Sequence, residues 1–133
     1  MQGKLHHVSF ITRDLDRALA FYVDRLGFTK MSRPNLSVPG AWVRAGEAEL
    51  HLILYGPGTL RSDPAIDASD THFAIRVPDF DAALDGLRRA GFREGTGADT
   101  ETEMLVKRQS AVGYGQIYIR DPDHNIIEIN APV

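Results

Sequence analysis

The chain has 133 residues, a formal charge of −3, 43% hydrophobic and 25% charged residues, and no cysteine. That size allows one compact domain, or two modules each too small to hold a good core alone. There is no basic block to engage nucleic acid and no apolar stretch long enough for a membrane span, and the lack of cysteine rules out disulfides, thiolate ligands and a thiol nucleophile. Met1 leads almost directly into a strand-like segment, so no signal peptide and a cytoplasmic location are expected. Any metal has to be held by nitrogen and oxygen.

Residues 5–11 read as a strand, and Asp14 as the N-cap of an amphipathic helix with Leu15, Ala18, Leu19, Tyr22 and Leu26 on one face, ended by Gly27. A strand over 28–31, a turn-rich stretch over 34–40 and strands over 41–45 and 49–55 complete a βαβββ unit. Residues 57–69 form a linker. The pattern then restarts: a strand over 71–77, Asp79 capping a helix with Phe80, Ala83, Leu84 and Leu87 inward, Gly91 ending it, and a short strand from Phe92. A long polar stretch over 95–113 has room for one more strand, and the last two strands span 115–120 and 125–130.

The restart is a true internal repeat. His7 precedes Asp14 as His72 precedes Asp79, by seven residues each time, and both copies run on to a Gly-Phe pair, Gly27-Phe28 and Gly91-Phe92. Module boundaries of 4–56 and 70–131 follow, within a single domain of 1–133. Alternation along the strands gives one apolar face with Val8, Phe10, Leu50, Leu52, Phe73, Ile75, Ile117, Ile119, Ile127 and Ile129. The opposite face is mixed: it carries His7, Ser9, Glu49, His51, Ile53, His72, Ala74, Arg76, Gln116, Tyr118, Arg120, Ile126, Glu128 and Asn130. Three histidines, a tyrosine, a glutamine and two carboxylates are groups that bind metals and small molecules, whereas a solvated sheet face gathers Lys, Glu and Thr. That face reads as the lining of a cup.

Two histidines and one carboxylate form a set that leaves metal positions open for substrate, and His7, His72 and Glu128 supply it. His51 holds in the first half the place that Glu128 holds in the second. A single strand histidine ordinarily has a hydrogen-bonded structural role, but four positions related by a repeat favour a metal. The donor set suits zinc, nickel, iron(II), manganese or cobalt, one ion per site.

The run His-Val-x-Phe-x-x-x-Asp-Leu-Asp from His7, the later Gly27-Phe28, Thr71-His72-Phe73-Ala74 and Asp121-Pro-Asp-His-Asn-Ile-Ile-Glu128 together resemble the vicinal oxygen chelate superfamily. That superfamily includes glyoxalase I, fosfomycin resistance proteins, extradiol dioxygenases and metal-free bleomycin resistance proteins. The resemblance implies an α+β fold, in which two tandem βαβββ modules form an eight-stranded, cup-shaped half-open barrel with helices outside and one divalent metal on its floor. It matches His7, His72 and Glu128 to ligand positions, His51 to a position where bacterial glyoxalase I has a glutamate ligand, and Tyr118 to a substrate-facing tyrosine of fosfomycin enzymes. His124 replaces the usual glycine in the Asp-Pro-Asp-Gly-Asn turn, where a left-handed backbone is expected. The phrases Arg33-Pro34, Pro39-Gly40-Ala41-Trp42 and Leu50-His51-Leu52 resemble a glyoxalase-like subgroup and put Trp42 and Arg44 on the strand beside His51.

The expected activity is a metal-dependent lyase or isomerase of glyoxalase type, with His7, His51, His72 and Glu128 as ligands and Glu128, or a hydroxide on the metal, as base. Catalytic candidates are Glu128 and His51, and substrate contacts are Ser9, Trp42, Arg44, Arg76, Gln116 and Tyr118. Replacing a carboxylate by imidazole at 51 weighs against glyoxalase I proper. A single-domain dioxygenase, a fosfomycin-type epoxide-opening enzyme and a metal-free drug- or metabolite-binding protein remain open, and the resemblance implies a homodimer with no nucleic acid or membrane partner.

Overall fold

A computed structural model describes residues 2–96 and 101–132. Residues 97–100, inside the long polar stretch, lie outside it. The chain divides into two compact units, residues 1–60 and 61–133.

In the first unit, β1 (His7–Thr12) leads to Asp14, whose carboxylate accepts from the Arg17 amide at 3.0 Å and so satisfies one of the open N–H groups of α1 (Leu15–Leu19). The helix widens into a π-helical continuation over Ala20–Arg25 and stops at Gly27, whose φ of 75° suits only a residue without Cβ strain. Strands β2 (Thr29–Met31), β3 (Gly40–Ala45) and β4 (Ala48–Leu54) follow. The sheet order is β1-β4-β3-β2, with β1 parallel to β4 and the other pairs antiparallel. Helix α1 packs on β3 and β4, and Ala18, Phe21, Tyr22, Val43, Leu50 and Leu52 are buried.

The second unit repeats this plan with one strand more. After β5 (His72–Arg76), Asp79 caps α2 (Phe80–Arg89) by accepting from the Ala82 amide at 2.8 Å, and Gly91 has φ 95°. Strands β6 (Arg93–Glu94), β7 (Glu103–Lys107), β8 (Gly115–Arg120) and β9 (Ile126–Ala131) give the order β5-β9-β8-β7-β6. Strand β5 is parallel to β9, β7 takes the place of β2 and is antiparallel to β8, and the short extra strand β6 runs parallel to β7. The polar 95–113 stretch thus holds β7. Ile117, Ile119 and Ile127 are fully buried together with Leu84 and Leu87 of α2, each such side chain stabilising by about 1.5–3 kcal/mol. The α+β class expected from the sequence is the one observed.

The unit boundary falls inside the expected linker. Arg61 donates to the carboxylate of Asp70 and to the carbonyls of Asp63, Ala65 and His124, which ties residues 61–70 to the second unit. Ile66 then packs with Tyr118 and Ile126 on the polar side of that sheet.

Candidate metal and substrate site

On the first sheet, register puts His7 opposite Glu49, Ser9 opposite His51, and His51 opposite Trp42, all on one face as alternation requires. The rings of Trp42, His51 and His7 form a column: Trp42 and His51 are stacked at 4.3 Å and 10°, His51 and His7 at 4.1 Å and 11°. His51 Nε2 donates to Glu49 Oε2 at 3.3 Å, and Arg44 donates to Glu49 Oε1 at 3.3 Å. The hydrogen bond from His51 holds the Glu49 carboxyl below its ordinary value. His7 Nδ1 meets His6 Nδ1 at 2.9 Å. Imidazole binds a metal in the ring plane, so parallel rings 4.1 Å apart aim their lone pairs side by side and do not converge.

The second sheet differs. Cross-strand rows place Ala74, Glu128, Tyr118 and Leu105 side by side, and next to them Arg76, Asn130, Gln116 and Lys107. Glu128 is only 4% exposed. Asn130 Nδ2 donates to Glu128 Oε1 at 2.6 Å, Gln116 and Tyr118 also bond the carboxylate, and Gln116 Nε2 donates to the Tyr118 oxygen at 2.8 Å. Burial pushes the Glu128 carboxyl up, but the hydrogen bonds from Asn130, Gln116 and Tyr118, with the nearby His72, outweigh it and leave the pKa lowered. Burial, then the bond to Glu128, pushes the Tyr118 phenol up to about 12. A carboxylate stabilised in its charged form suits a ligand better than a base. Arg76 lies over the Tyr114 ring at 4.3 Å and Lys107 over Tyr118 at 5.3 Å.

His72 and Glu128 supply the fit test for a metal. His72 Nδ1 lies 2.7 Å from the Asp70 carbonyl oxygen, which can only accept, so Nδ1 carries the proton and Nε2 is left to face Glu128 Oε2 at 3.3 Å. Two lone-pair atoms facing each other need a cation between them, a proton or a metal ion. Ligands at the usual ~2.1 Å on one tetrahedral ion sit about 3.4 Å apart, so the pair fits. Metal-binding histidines are commonly held in this way, with the other ring nitrogen donating to a carbonyl that fixes the tautomer and the ring's orientation. Within neither unit do three or more His, Asp or Glu side chains gather as a metal site among the described residues.

Of the residues expected from the sequence, the first unit brings together His7, His51 and Trp42, with Arg44 on Glu49 and Ser9 across from His51. The second brings together His72, Glu128, Tyr118 and Gln116, with Arg76 set on Tyr114 instead. Sequence reasoning placed Asn130 and Glu49 on this face but gave them no role, and missed the Asp70 carbonyl and Ile66. The Asn130 role had a readable signal, an amide two residues along the strand from the candidate carboxylate.

The family model for the Glyoxalase/Bleomycin resistance protein/Dioxygenase superfamily matches residues 4–129, and the chain belongs to that superfamily. Glyoxylase I 4 of Arabidopsis thaliana is 27% identical over 127 residues, 94% of this chain and 68% of that protein. A glyoxalase family protein from Bacillus anthracis superposes with a TM-score of 0.75 at 21% identity, covering 100% of this chain and 97% of that one. The genomically encoded fosfomycin resistance protein of Listeria monocytogenes gives 0.72 at 15% identity, covering 100% and 96%. These likenesses agree with the vicinal oxygen chelate fold expected from the sequence. No helix among the described residues is long and apolar enough to cross a membrane.

Proposed function

We propose that this protein is a cytoplasmic, divalent-metal-dependent enzyme of glyoxalase-like lyase or isomerase type, working as a homodimer. In this reading residues 4–56 and 70–131 act as modules of one domain, joined by 57–69. The observation that carries it is the His72–Glu128 pair, two donors facing at 3.3 Å with His72 fixed by Asp70. In this proposal His72 and Glu128 hold the ion with His7, and His51, its Nε2 held by Glu49, is the proton-transfer group; service as a fourth ligand requires its ring to turn out of the stack with His7. The ion, one of zinc, nickel, iron(II), manganese or cobalt, supplies a Lewis acid for two oxygens of a small substrate. Tyr118 and Gln116 face the substrate, with Ser9, Trp42, Arg44 and Arg76 as its further contacts. A role for Glu128 as base requires it to leave the bonds that now hold its charge.

Metal analysis of protein purified without added metal, then reloaded with each candidate ion, tests this. One ion per chain is expected, lost in His72→Ala and Glu128→Ala; failure to load any ion would overturn the reading. Assays of hemithioacetal isomerisation, epoxide opening and oxygen uptake with catechols then separate the reactions, and no turnover in the first would remove glyoxalase I activity itself.

One observation favours a second reading. The Trp42–His51–His7 column, whose rings do not converge on an ion, offers a flat platform for a planar ligand, as a metal-free binding protein would use. Saturable binding of a planar ligand by a protein that loads no metal would select it.

A further inference from the structure

Asn130 is 6% exposed, in the middle of β9, and its carboxamide is used one-sidedly. Its Nδ2 donates to Glu128 Oε1 at 2.6 Å, while its Oδ1 is buried without a hydrogen-bond partner among the described residues. The orientation is dictated by chemistry, because a carboxylate only accepts and the nitrogen must face it. A buried acceptor left unmade is unfavourable for folding, and an apolar side chain of the same shape would avoid it. A residue kept in spite of that cost points to work done on its partner.

We propose that Asn130 is a positioning residue of the metal site, acting through Glu128. Its bond takes one lone pair of Oε1 and fixes the carboxylate with Oε2 facing His72 Nε2, which favours binding of the ion through Oε2 alone. Tyr118, opposite Glu128 on β8, and Gln116 beside it also help hold the carboxylate in its charged form. An open coordination position for substrate is thereby preserved, since a carboxylate gripping through both oxygens would fill one more. This rests on Glu128 being a ligand, as proposed above.

The test compares wild type with Asn130→Leu, of similar shape without a donor, and Asn130→Ser, a shorter side chain that keeps one, using cobalt(II) alone as the probe. Calorimetry gives affinity, the visible spectrum of the bound cobalt reports its coordination number, and thermal melting of the metal-free proteins reports folding. The expected result is a loss of cobalt affinity of about ten- to a hundredfold in Asn130→Leu and less in Asn130→Ser. Visible absorption should weaken in Asn130→Leu as the second oxygen joins the ion, with metal-free melting midpoints close together. If wild type binds cobalt and the variants match it in affinity and spectrum, or lose affinity only in step with their melting midpoints, Asn130 has no positioning role. A wild type that takes up no cobalt or other ion overturns the metal reading and this role together.

Discussion

The two units carry the same repeat but hold their polar faces in different ways. In the first, Trp42, His51 and His7 lie ring on ring and the carboxylate of Glu49 sits at the edge, shared by His51 and Arg44. In the second, the carboxylate is central and buried, and Asn130, Gln116, Tyr118 and His72 converge on it. Histidine stands against glutamate on the last strand of each module, and the neighbours differ too, Trp42 against Tyr118 and Ile53 against Asn130. Imidazole can gain energy by stacking flat against neighbours, whereas a buried carboxylate has to collect donors.

Removing each centre breaks the comparison most sharply. Glu128→Ala strands the donors of Tyr118, Gln116 and Asn130 in a buried place and is expected to cost about 3 kcal/mol in urea unfolding of the metal-free protein. His51→Ala loses two ring contacts and is expected to cost about 1–2 kcal/mol. Equal losses would mean that the first face depends on more than stacking. The lowered pKa of Glu128 adds a pH signature. A group with a depressed folded pKa contributes fully above its unfolded value and loses that contribution as pH falls through the folded one. Stability of the wild type should therefore decline on the acid side of the ordinary carboxylate range, and Glu128→Gln should make that limb shallower, leaving the shares of Glu94, Glu49 and Asp70, which are also lowered.

What could be read from the sequence in this contrast was whatever depends on local periodicity. Strand alternation put His7, His51, His72 and Glu128 on the polar face, and the register agrees, with Trp42 opposite His51 and Tyr118 opposite Glu128. The Asp14 and Asp79 caps and the left-handed His124, φ 70°, follow from short-range backbone chemistry. Rotamers were not legible, so neither the ring column nor the single-sided use of Asn130 was foreseen. The π-helical turn over Ala20–Arg25 and the parallel β6–β7 pair depend on packing, which the spacing of apolar residues does not encode.

The caps give a smaller and more symmetric comparison. Asp14→Ala and Asp79→Ala each remove one side-chain bond to an amide and should each cost about 1 kcal/mol. Helix α2 runs for 10 residues and α1 for 5 before it changes to the π form. A clearly smaller loss at Asp14 would show that α1 is held in place mainly by its packing on β3 and β4.

The smallest effects lie in the turns before the last strand of each module, and there the two units should respond with opposite sign. Gly46, φ 61°, makes the β3–β4 turn, and a Cβ added there would meet nothing within 4 Å. Gly46→Ala therefore tests backbone strain alone and should destabilise by about 1 kcal/mol. His124 makes the β8–β9 turn with a similar φ, inside a loop fixed by Asp121, whose Oδ1 accepts from the amides of Asp123 and Asn125. Its backbone makes the useful bonds: the amide donates to the Asp121 carbonyl and its own carbonyl accepts from Arg61, while Nδ1 is buried without a partner among the described residues. His124→Gly relieves the left-handed strain and removes that buried nitrogen, offset by the larger entropy of glycine in the unfolded chain. A net gain of about 0.5 kcal/mol is expected in the urea midpoint. A loss instead would show that the imidazole packs against the turn strongly enough to outweigh its backbone cost.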